Sequence, residues 1–145
     1  MTDNNSNTNI IETKVVNVRV KNIRPRYNNL NDWCNDQNNV YIGRKGVLIL
    51  DKKRYPEKDS IWANPYKINK NNDRADVINK YEIYIREKLE DDYYKEELLK
   101  LRGKNLGCWC KPESCHGDVL IKLIEELIKE LIVNETIFNL ENAEI

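Results

Sequence analysis

The feature that most constrains the fold is an apolar strand-like segment that ends at a proline and leads, through a cysteine-rich loop, into an amphipathic helix. The segment Leu106–Asp118 reads Leu-Gly-Cys-Trp-Cys-Lys-Pro-Glu-Ser-Cys-His-Gly-Asp and holds three of the four cysteines and the only histidine. Side chains alternate along a strand, so Cys108 and Cys110 are expected on one face. Pro112 ends the strand because it cannot donate to a ladder. Helical spacing then follows in an apolar stripe of Leu120, Leu123, Ile124, Leu127, Ile128, Leu131 and Ile132.

The order of the remaining segments predicts an α/β fold. Strand-like runs occur at Val15–Val20, Val40–Arg44, Val47–Leu50 and Lys104–Cys110, and helical spacing follows Asp73 and Asp92. Lys45-Gly46 predicts a hairpin turn between the second and third runs. We therefore expect a small single-domain layered sheet with flanking helices, in which the Cys/His loop lies between the last core strand and the C-terminal helix. Ligands of such sheets bind beyond the carboxyl ends of the strands.

A chain of 145 residues fits one domain with a real core. Residues 1–12 are polar and are predicted to be a disordered N-terminal tail. The domain is predicted over residues 13–133, with a weakly patterned, acidic C-terminal tail over residues 134–145. Within the domain, residues 24–39 are expected to form a polar loop.

Composition excludes some classes of protein. The 24 basic and 24 acidic residues give a net charge of zero, which argues against a protein that mainly coats nucleic acid. No apolar run approaches the roughly 18 residues of a membrane span, and no signal peptide is apparent, so we expect no membrane and reduced thiols in a cytoplasmic protein. The richness in Asn, Lys and Ile indicates an AT-rich genome such as that of a virus, with the host cytoplasm as the location.

Three interpretations of the cysteine loop are possible. Cys108, Cys110, Cys115 and His116 form a donor set suited to tetrahedral zinc, although the spacing is more crowded than in common zinc sites. A second reading needs no metal. In this interpretation the backbone N–H groups at the helix start, from Cys115 to Asp118, bind an anion, and Gly117 lets the ligand approach closely. Cys110 or Cys115 acts as the nucleophile, and His116 or Asp118 acts as the acid or base. In the third reading the cysteines are only small core residues.

Earlier segments add candidate ligand contacts. Gly43 permits close approach, and the planar fork of Arg44 suits phosphate or carboxylate, although Arg44 is also compatible with a plain surface position. Trp62 is either an aromatic residue on which a nucleobase stacks or an aromatic residue of the core. Pro65 restricts Asn64 to an extended backbone conformation. The Asn64 side chain is then able to hydrogen-bond to the edge of a ligand or to stabilise a turn.

The segment Leu106–Leu120 resembles the closing motif of the family DUF4326. Val40-Tyr-Ile-Gly-Arg44 resembles a second piece of that family, and Trp62-Ala-Asn-Pro-Tyr66, followed by a helix with Lys80 and Tyr81, resembles a third. The resemblance covers roughly residues 16–127 and carries no activity with it. The cysteine loop is also similar to the Cys-His loop of DUF488.

Together these observations lead to two hypotheses. In the first, Gly43, Arg44, Trp62 and Asn64 converge with the loop on a pocket for a phosphorylated or nucleotide-like small molecule, with hydrolase or transferase chemistry. In the second, zinc stabilises a module that binds nucleic acid or protein through Arg24, Arg26 and the lysines between residues 45 and 58. A third possibility, a purely structural part of a viral or phage particle, has no positive sign in the sequence. An extension of the C-terminal stripe beyond the core would serve a homodimer.

Overall fold

The computed structural model describes residues 11–143, so most of the predicted N-terminal tail lies outside the described residues. The chain contains β1 (Lys14–Asn17), α1 (Val20–Ile23), α2 (Leu30–Asn35), β2 (Asn39–Tyr41), β3 (Leu48–Leu50), β4 (Lys53–Tyr55), α3 (Arg74–Lys88), α4 (Asp92–Leu99), β5 (Asn105–Cys108) and α5 (His116–Asn142). The predicted α/β class is confirmed. No helix within residues 11–143 is long and apolar enough to cross a membrane.

The main sheet has three parallel strands, with β5 between β1 and β2. Leu106 of β5 is level with Val15 of β1 and with Val40 of β2. All three strands therefore end at the same edge of the sheet, where β5 runs into the cysteine loop. That edge is the carboxyl end at which open α/β sheets bind their ligands.

The two faces of the sheet bury different sets of side chains. Leu106, Val15 and Val40 face the larger core, which α3, α4 and α5 cover. The next residue of β5, Gly107, faces the smaller core beneath α1 and α2. A β-carbon at Gly107 would lie 2.6 Å from the ring of Trp33, so only glycine fits beneath that ring. The result is a three-layer arrangement of helix, sheet and helix.

The larger core joins α3 to the segment before it. Asp73 and Asp76 form the predicted capping box at the start of α3. Tyr81, on the next turns of that helix, is fully buried, and its hydroxyl donates to the backbone oxygen of Trp62 at 2.7 Å. This bond fixes the loop that precedes α3 against the core.

Several predicted boundaries differ from the structure. The run Val15–Val20 ends as a strand at Asn17 because the Asn17 side chain accepts from Arg19 N (2.9 Å), and α1 follows. The hairpin predicted at Lys45-Gly46 is wrong. β2 joins the main sheet, and β3 pairs with β4 across Asp51 and Lys52, both at positive φ. A turn without glycine or asparagine gives little sequence signal.

The predicted polar loop over residues 24–39 contains α2, whose N-cap Asn29 accepts from Asp32 N and whose buried residues are Leu30 and Trp33. The C-terminal tail predicted over residues 134–145 is helical as far as Asn142, where α5 ends. Residues 129–142 of that helix are all exposed, including Ile132 and Phe138. The distal part of α5 therefore extends the apolar stripe beyond the core, and the predicted homodimer stays a prediction.

Replacing Tyr81 with Phe tests the bond between α3 and the preceding loop. We expect the free energy of unfolding to fall by about 1–3 kcal/mol, since the buried Trp62 oxygen loses its partner. The matched control is Tyr93→Phe, because Tyr93 is exposed; that change should cost less than about 0.5 kcal/mol. Urea unfolding of the two variants measures both values, and equal values would contradict this role of Tyr81.

Candidate functional site

The cysteine loop is anchored at both ends. The Asn17 side chain at the end of β1 donates to Lys111 O at 2.6 Å. At the other end, Cys115 is the N-cap of α5, and its sulfur accepts from Gly117 N at 3.3 Å. Asp118 completes a capping box by accepting from Cys115 N at 3.1 Å, and its second oxygen pairs with Lys111 Nζ at 2.7 Å. The loop is therefore a fixed turn between β5 and α5.

A cleft of about 270 Å³ opens over this loop, between β5, α5 and the start of α3. Its walls include apolar side chains from Val47, Ile68, Val77 and Ile78. The polar and reactive groups on the cleft are those of Arg44, Asn64, Arg74, Cys108, Cys110, Ser114, Cys115 and His116. Among the residues that the structure describes, no carboxylate lines this cleft.

Three sulfur atoms form a cluster at the base of the cleft. Cys108 and Cys115 are buried, and Cys110, which contacts both, is half-buried. Hydrogen bonds from the Cys108 and Cys115 thiols, together with the guanidinium of Arg74, hold the pKa of Cys110 well below its usual range. The same contacts with Cys108 and Cys110, and burial, raise the pKa of Cys115. Of the three thiols, Cys110 alone has a lowered pKa, and the thiolate is the form of cysteine that attacks electrophiles.

His116 is neutral and its tautomer is fixed. Its Nε2 lies 2.7 Å from Ile42 O, and a carbonyl oxygen only accepts, so Nε2 carries the proton. Burial lowers the pKa of His116. Its unprotonated Nδ1 faces Cys115 Sγ at 3.5 Å. Of the two predicted roles, this geometry suits a base toward Cys115 and gives the ring no proton to donate toward the cleft.

Two arginines give the cleft its positive charge. Arg44 follows β2, and its Nε and Nη2 donate to Asn64 O and Tyr66 O, each at 2.9 Å. Arg74 is the first residue of α3; its Nη1 donates to Ser114 O at 3.1 Å. Both guanidinium groups are held in position by backbone oxygens, and each retains N–H groups for a ligand.

The structure brings most of the predicted ligand contacts together. Gly43, Arg44 and Asn64 line the cleft with Cys108, Cys110, Cys115 and His116. The ring of Tyr41 lies where a β-carbon of Gly43 would be, so a larger residue at this position would displace that ring. The Asn64 amide is occupied by Val77 O (3.2 Å) and Tyr66 N (2.9 Å), and therefore acts mainly as a support for Arg44 and α3.

Three predicted site residues have other roles. Trp62 is 2% exposed and packs edge-on against Tyr94, so it is a core residue and not a stacking wall. Gly117 faces Val15 and Ile42, where a β-carbon would lie within about 3 Å of both, so its close approach is to β1 and not to a ligand. Asp118 is committed to the cap and to Lys111, away from the cleft.

The helix start from Cys115 to Asp118 also differs from the predicted anion site. The backbone N–H groups of Cys115, Gly117 and Asp118 are bonded to Asp118 Oδ2, Cys115 Sγ and Cys115 O, respectively. These donors satisfy the helix itself. These three amides are therefore not free for an anion, whereas the arginines retain free N–H groups.

Sequence reasoning missed Arg74, which is the second cation of the cleft. The position of Arg74 in the sequence indicates a functional role. A positive side chain at the first residue of a helix opposes the helix dipole, so its presence there suggests another task. The Arg lies 36 residues before Cys110 in the sequence, and only the packing of α3 against the loop brings the two together.

The predicted zinc donors are neighbours in space. The three thiols adjoin one another, and His116 Nδ1 faces Cys115. Within residues 11–143, however, no three Cys, His, Asp or Glu side chains are grouped in an arrangement that would hold a metal ion. Zinc therefore stays a prediction.

The predicted nucleic-acid surface is divided. Arg26 lies beside Lys14 and Asn105, at the amino end of the sheet, opposite the cysteine loop. Lys45 instead belongs to a second groove of about 590 Å³ that shares Arg44 and Asn64 with the cleft. This groove also contains Lys67 and Lys88, and Lys88 Nζ lies 4.9 Å and 4.7 Å from the ring centres of Tyr84 and Tyr94.

Comparison with known proteins identifies relatives of the chain. A protein of Enterobacteria phage T4 named "Uncharacterized 12.4 kDa protein in nrdA-td intergenic region" is 40% identical over 47 residues. That stretch is 32% of this chain and 44% of the relative, so the chain spans less than half the length of this curated relative. The phage origin agrees with the viral origin predicted from composition. No solved structure matches the chain.

The family model described as "Domain of unknown function (DUF4326)" matches residues 26–126. This range includes β2, α3 and β5, and it ends within α5, after the cysteine loop. The likeness to DUF488 stays a prediction. Because the match covers more than half of the 145 residues, the chain belongs to the DUF4326 family.

Proposed function

We propose that the cleft binds a phosphorylated or nucleotide-like small molecule, and that Cys110 acts on it as a nucleophile in a hydrolase or transferase reaction. The observation that carries the proposal is the convergence of Arg44, Arg74 and the half-buried Cys110 on one cleft. Within the described residues that cleft has no carboxylate lining. We place this activity in the cytoplasm of the host cell.

The charge of the cleft favours an anionic ligand. Arginine binds phosphate and carboxylate oxygens through a planar fork, and a partly buried cleft strengthens such bonds relative to water. Arg44 and Arg74 are held by Asn64 O, Tyr66 O and Ser114 O, so little ordering is required when a ligand arrives.

The size and lining of the cleft limit the ligand. A volume of about 270 Å³ lies just below the usual range for drug-sized ligands, about 300–1,000 Å³, and suits one mononucleotide or a smaller sugar phosphate. Val47, Ile68, Val77 and Ile78 would contact an apolar face of the ligand, such as that of a base. Because Trp62 is buried, stacking is not part of the proposal.

The chemistry follows from the sulfur cluster. The Cys110 sulfur would form a bond to an electrophilic atom of the ligand while the bond to the leaving group breaks, and the electron pair would depart with that group. Water or a second substrate would then release the covalent intermediate. Arg74, which contacts Cys110, would hold the anionic group of the ligand beside the nucleophile.

Replacing Arg74 with Gln tests the ligand class. We expect mononucleotide binding, measured by calorimetry across a panel of nucleoside monophosphates and sugar phosphates, to weaken at least about ten-fold, because a charge-assisted hydrogen bond is lost. Arg86→Gln is the matched control, since Arg86 is on the same helix but pairs with Glu82 and Glu126 away from the cleft. Equal affinities for the two variants, or no binding by the wild type, would refute the proposal.

Alkylation tests the nucleophile. Among the cysteines, Cys110 should react first with iodoacetamide at neutral pH, because it alone combines access from the cleft with a lowered pKa. Arg74→Gln should slow this reaction severalfold, and Arg86→Gln should leave it unchanged. Peptide mass spectrometry over time measures the order. Labelling of Cys34 or Cys115 before Cys110 would contradict this assignment.

The alternative function is a zinc-stabilised module that binds nucleic acid. The second groove favours it, because Lys45, Lys67 and Lys88 line a broad surface that also presents Tyr84 and Tyr94. Grooves that combine basic and aromatic side chains hold single strands by backbone contact and stacking. In this alternative the cysteines have a structural role, and the module binds nucleic acid or another protein.

Metal content and nucleic-acid titration separate the two functions. For the small-molecule enzyme we expect free thiols and no retained zinc in protein purified without added metal or chelator. About one zinc per chain, with single-stranded binding that Lys67→Gln and Lys88→Gln weaken and Lys122→Gln does not, would favour the alternative. Titrations at two salt concentrations exclude weak electrostatic association.

A further inference from the structure

The sulfur cluster contains one accessible atom and two buried ones. Cys108 and Cys115 are 1% and 2% exposed, and Cys110, which contacts both, reaches the cleft. All four cysteines are free thiols, and Cys34 belongs to the smaller core on the other face of the sheet. An accessible thiol in contact with a buried thiol is the arrangement of a cysteine with its resolving partner.

Backbone geometry selects the pair able to join. Cys108 is the last residue of β5 and is fixed by the strand, and Trp109 forms a bend between Cys108 and Cys110. Between Cys110 and Cys115 the chain instead folds back, since Glu113 N donates to Cys110 O at 2.8 Å. This turn places Cys115, the N-cap residue of α5, in the wall of the same cleft as Cys110.

We propose that Cys110 and Cys115 form a reversible dithiol–disulfide couple that exchanges with small anionic disulfides of the oxidised glutathione type. The cleft supports this class of co-substrate, because Arg44 and Arg74 are available to carboxylates beside the reacting sulfur. The couple is independent of the small-molecule reaction proposed above. Its consequence for that reaction rests on the proposed function: the disulfide removes the nucleophile, so the oxidised protein is inactive.

The exchange proceeds in two balanced steps. The Cys110 thiolate attacks one sulfur of the small disulfide; the disulfide bond breaks, and one small thiolate leaves with the electron pair. Cys115 then attacks the Cys110 sulfur, and the second small thiolate leaves. The Cys115 proton passes to His116 Nδ1, 3.5 Å away, and from there to a released thiolate. The protein is oxidised by two electrons, and the small disulfide is reduced to one thiol and one thiolate, which takes its proton from solvent.

The full-length reduced protein, treated with oxidised glutathione, provides the test. We expect two glutathione molecules released per chain, a Cys110–Cys115 link in the peptide map, and full reversal by dithiothreitol. A Cys108–Cys110 link, a stable mixed disulfide at Cys110, or no reaction in protein shown to be free of zinc would overturn the proposal.

Variants make the result specific. Cys115→Ser should stop at the mixed disulfide, with one glutathione released; serine is a good N-cap, so α5 should still form. The Cys34→Ser and Cys108→Ser variants should each still release two glutathione molecules per chain. Arg74→Gln should slow the reaction with oxidised glutathione severalfold more than the reaction with neutral hydroxyethyl disulfide. If Cys34→Ser instead lost the second release, Cys34 would be the resolving thiol and the proposal would be wrong.

Mononucleotide binding by the reduced protein distinguishes the two proposals. Loss of exchange with retained binding would refute only the couple, and exchange without any ligand binding would refute only the proposed function. Under the combined proposal, oxidised protein should lose turnover and regain it after reduction.

Discussion

The structure depends on β5, which is hydrogen-bonded on both edges and covered on both faces. A parallel strand in this position needs an apolar side chain toward one layer and no side chain bulk toward the other. Leu106 and Gly107 meet these two needs, with the helical core on one side and the Trp33 ring on the other. Because the centre of the sheet is fixed in this way, the residues that follow β5 leave it at a defined point and in a defined direction.

That point places the cysteine loop beside elements distant in sequence. Ile42, just after β2, accepts from His116 and so fixes the ring at the start of α5. The start of α3 supplies Arg74, and the segment after β2 supplies Arg44. The chemistry of the cleft arises from this convergence: Arg74 and two buried thiols lower the pKa of Cys110, and Arg44 adds a second positive charge to the cleft. No single motif contains all of these groups.

Sequence patterns predicted the elements whose signals are local. The capping box at Asp73, the strand before the cysteines and the helix after them are each encoded within a few residues, and all are found. The hairpin was misplaced because its turn at Asp51 and Lys52 lacks glycine and asparagine. The short helix α2 was missed because its stability comes from burying Leu30 and Trp33 and not from its own propensity. Trp62 was likewise predicted to contact a ligand, but it is buried in the core and does not line the cleft.

The sequence alone determined that a cysteine and histidine loop would separate the last strand from the C-terminal helix, because alternation, proline and helical periodicity act over short distances. It also indicated Gly43, Arg44 and Asn64 near that loop. Only the tertiary structure decided which cysteine is accessible, which nitrogen of His116 carries the proton, and that Arg74 joins Arg44. These properties depend on burial and on contacts between segments far apart in the chain, and such contacts leave little trace in local sequence.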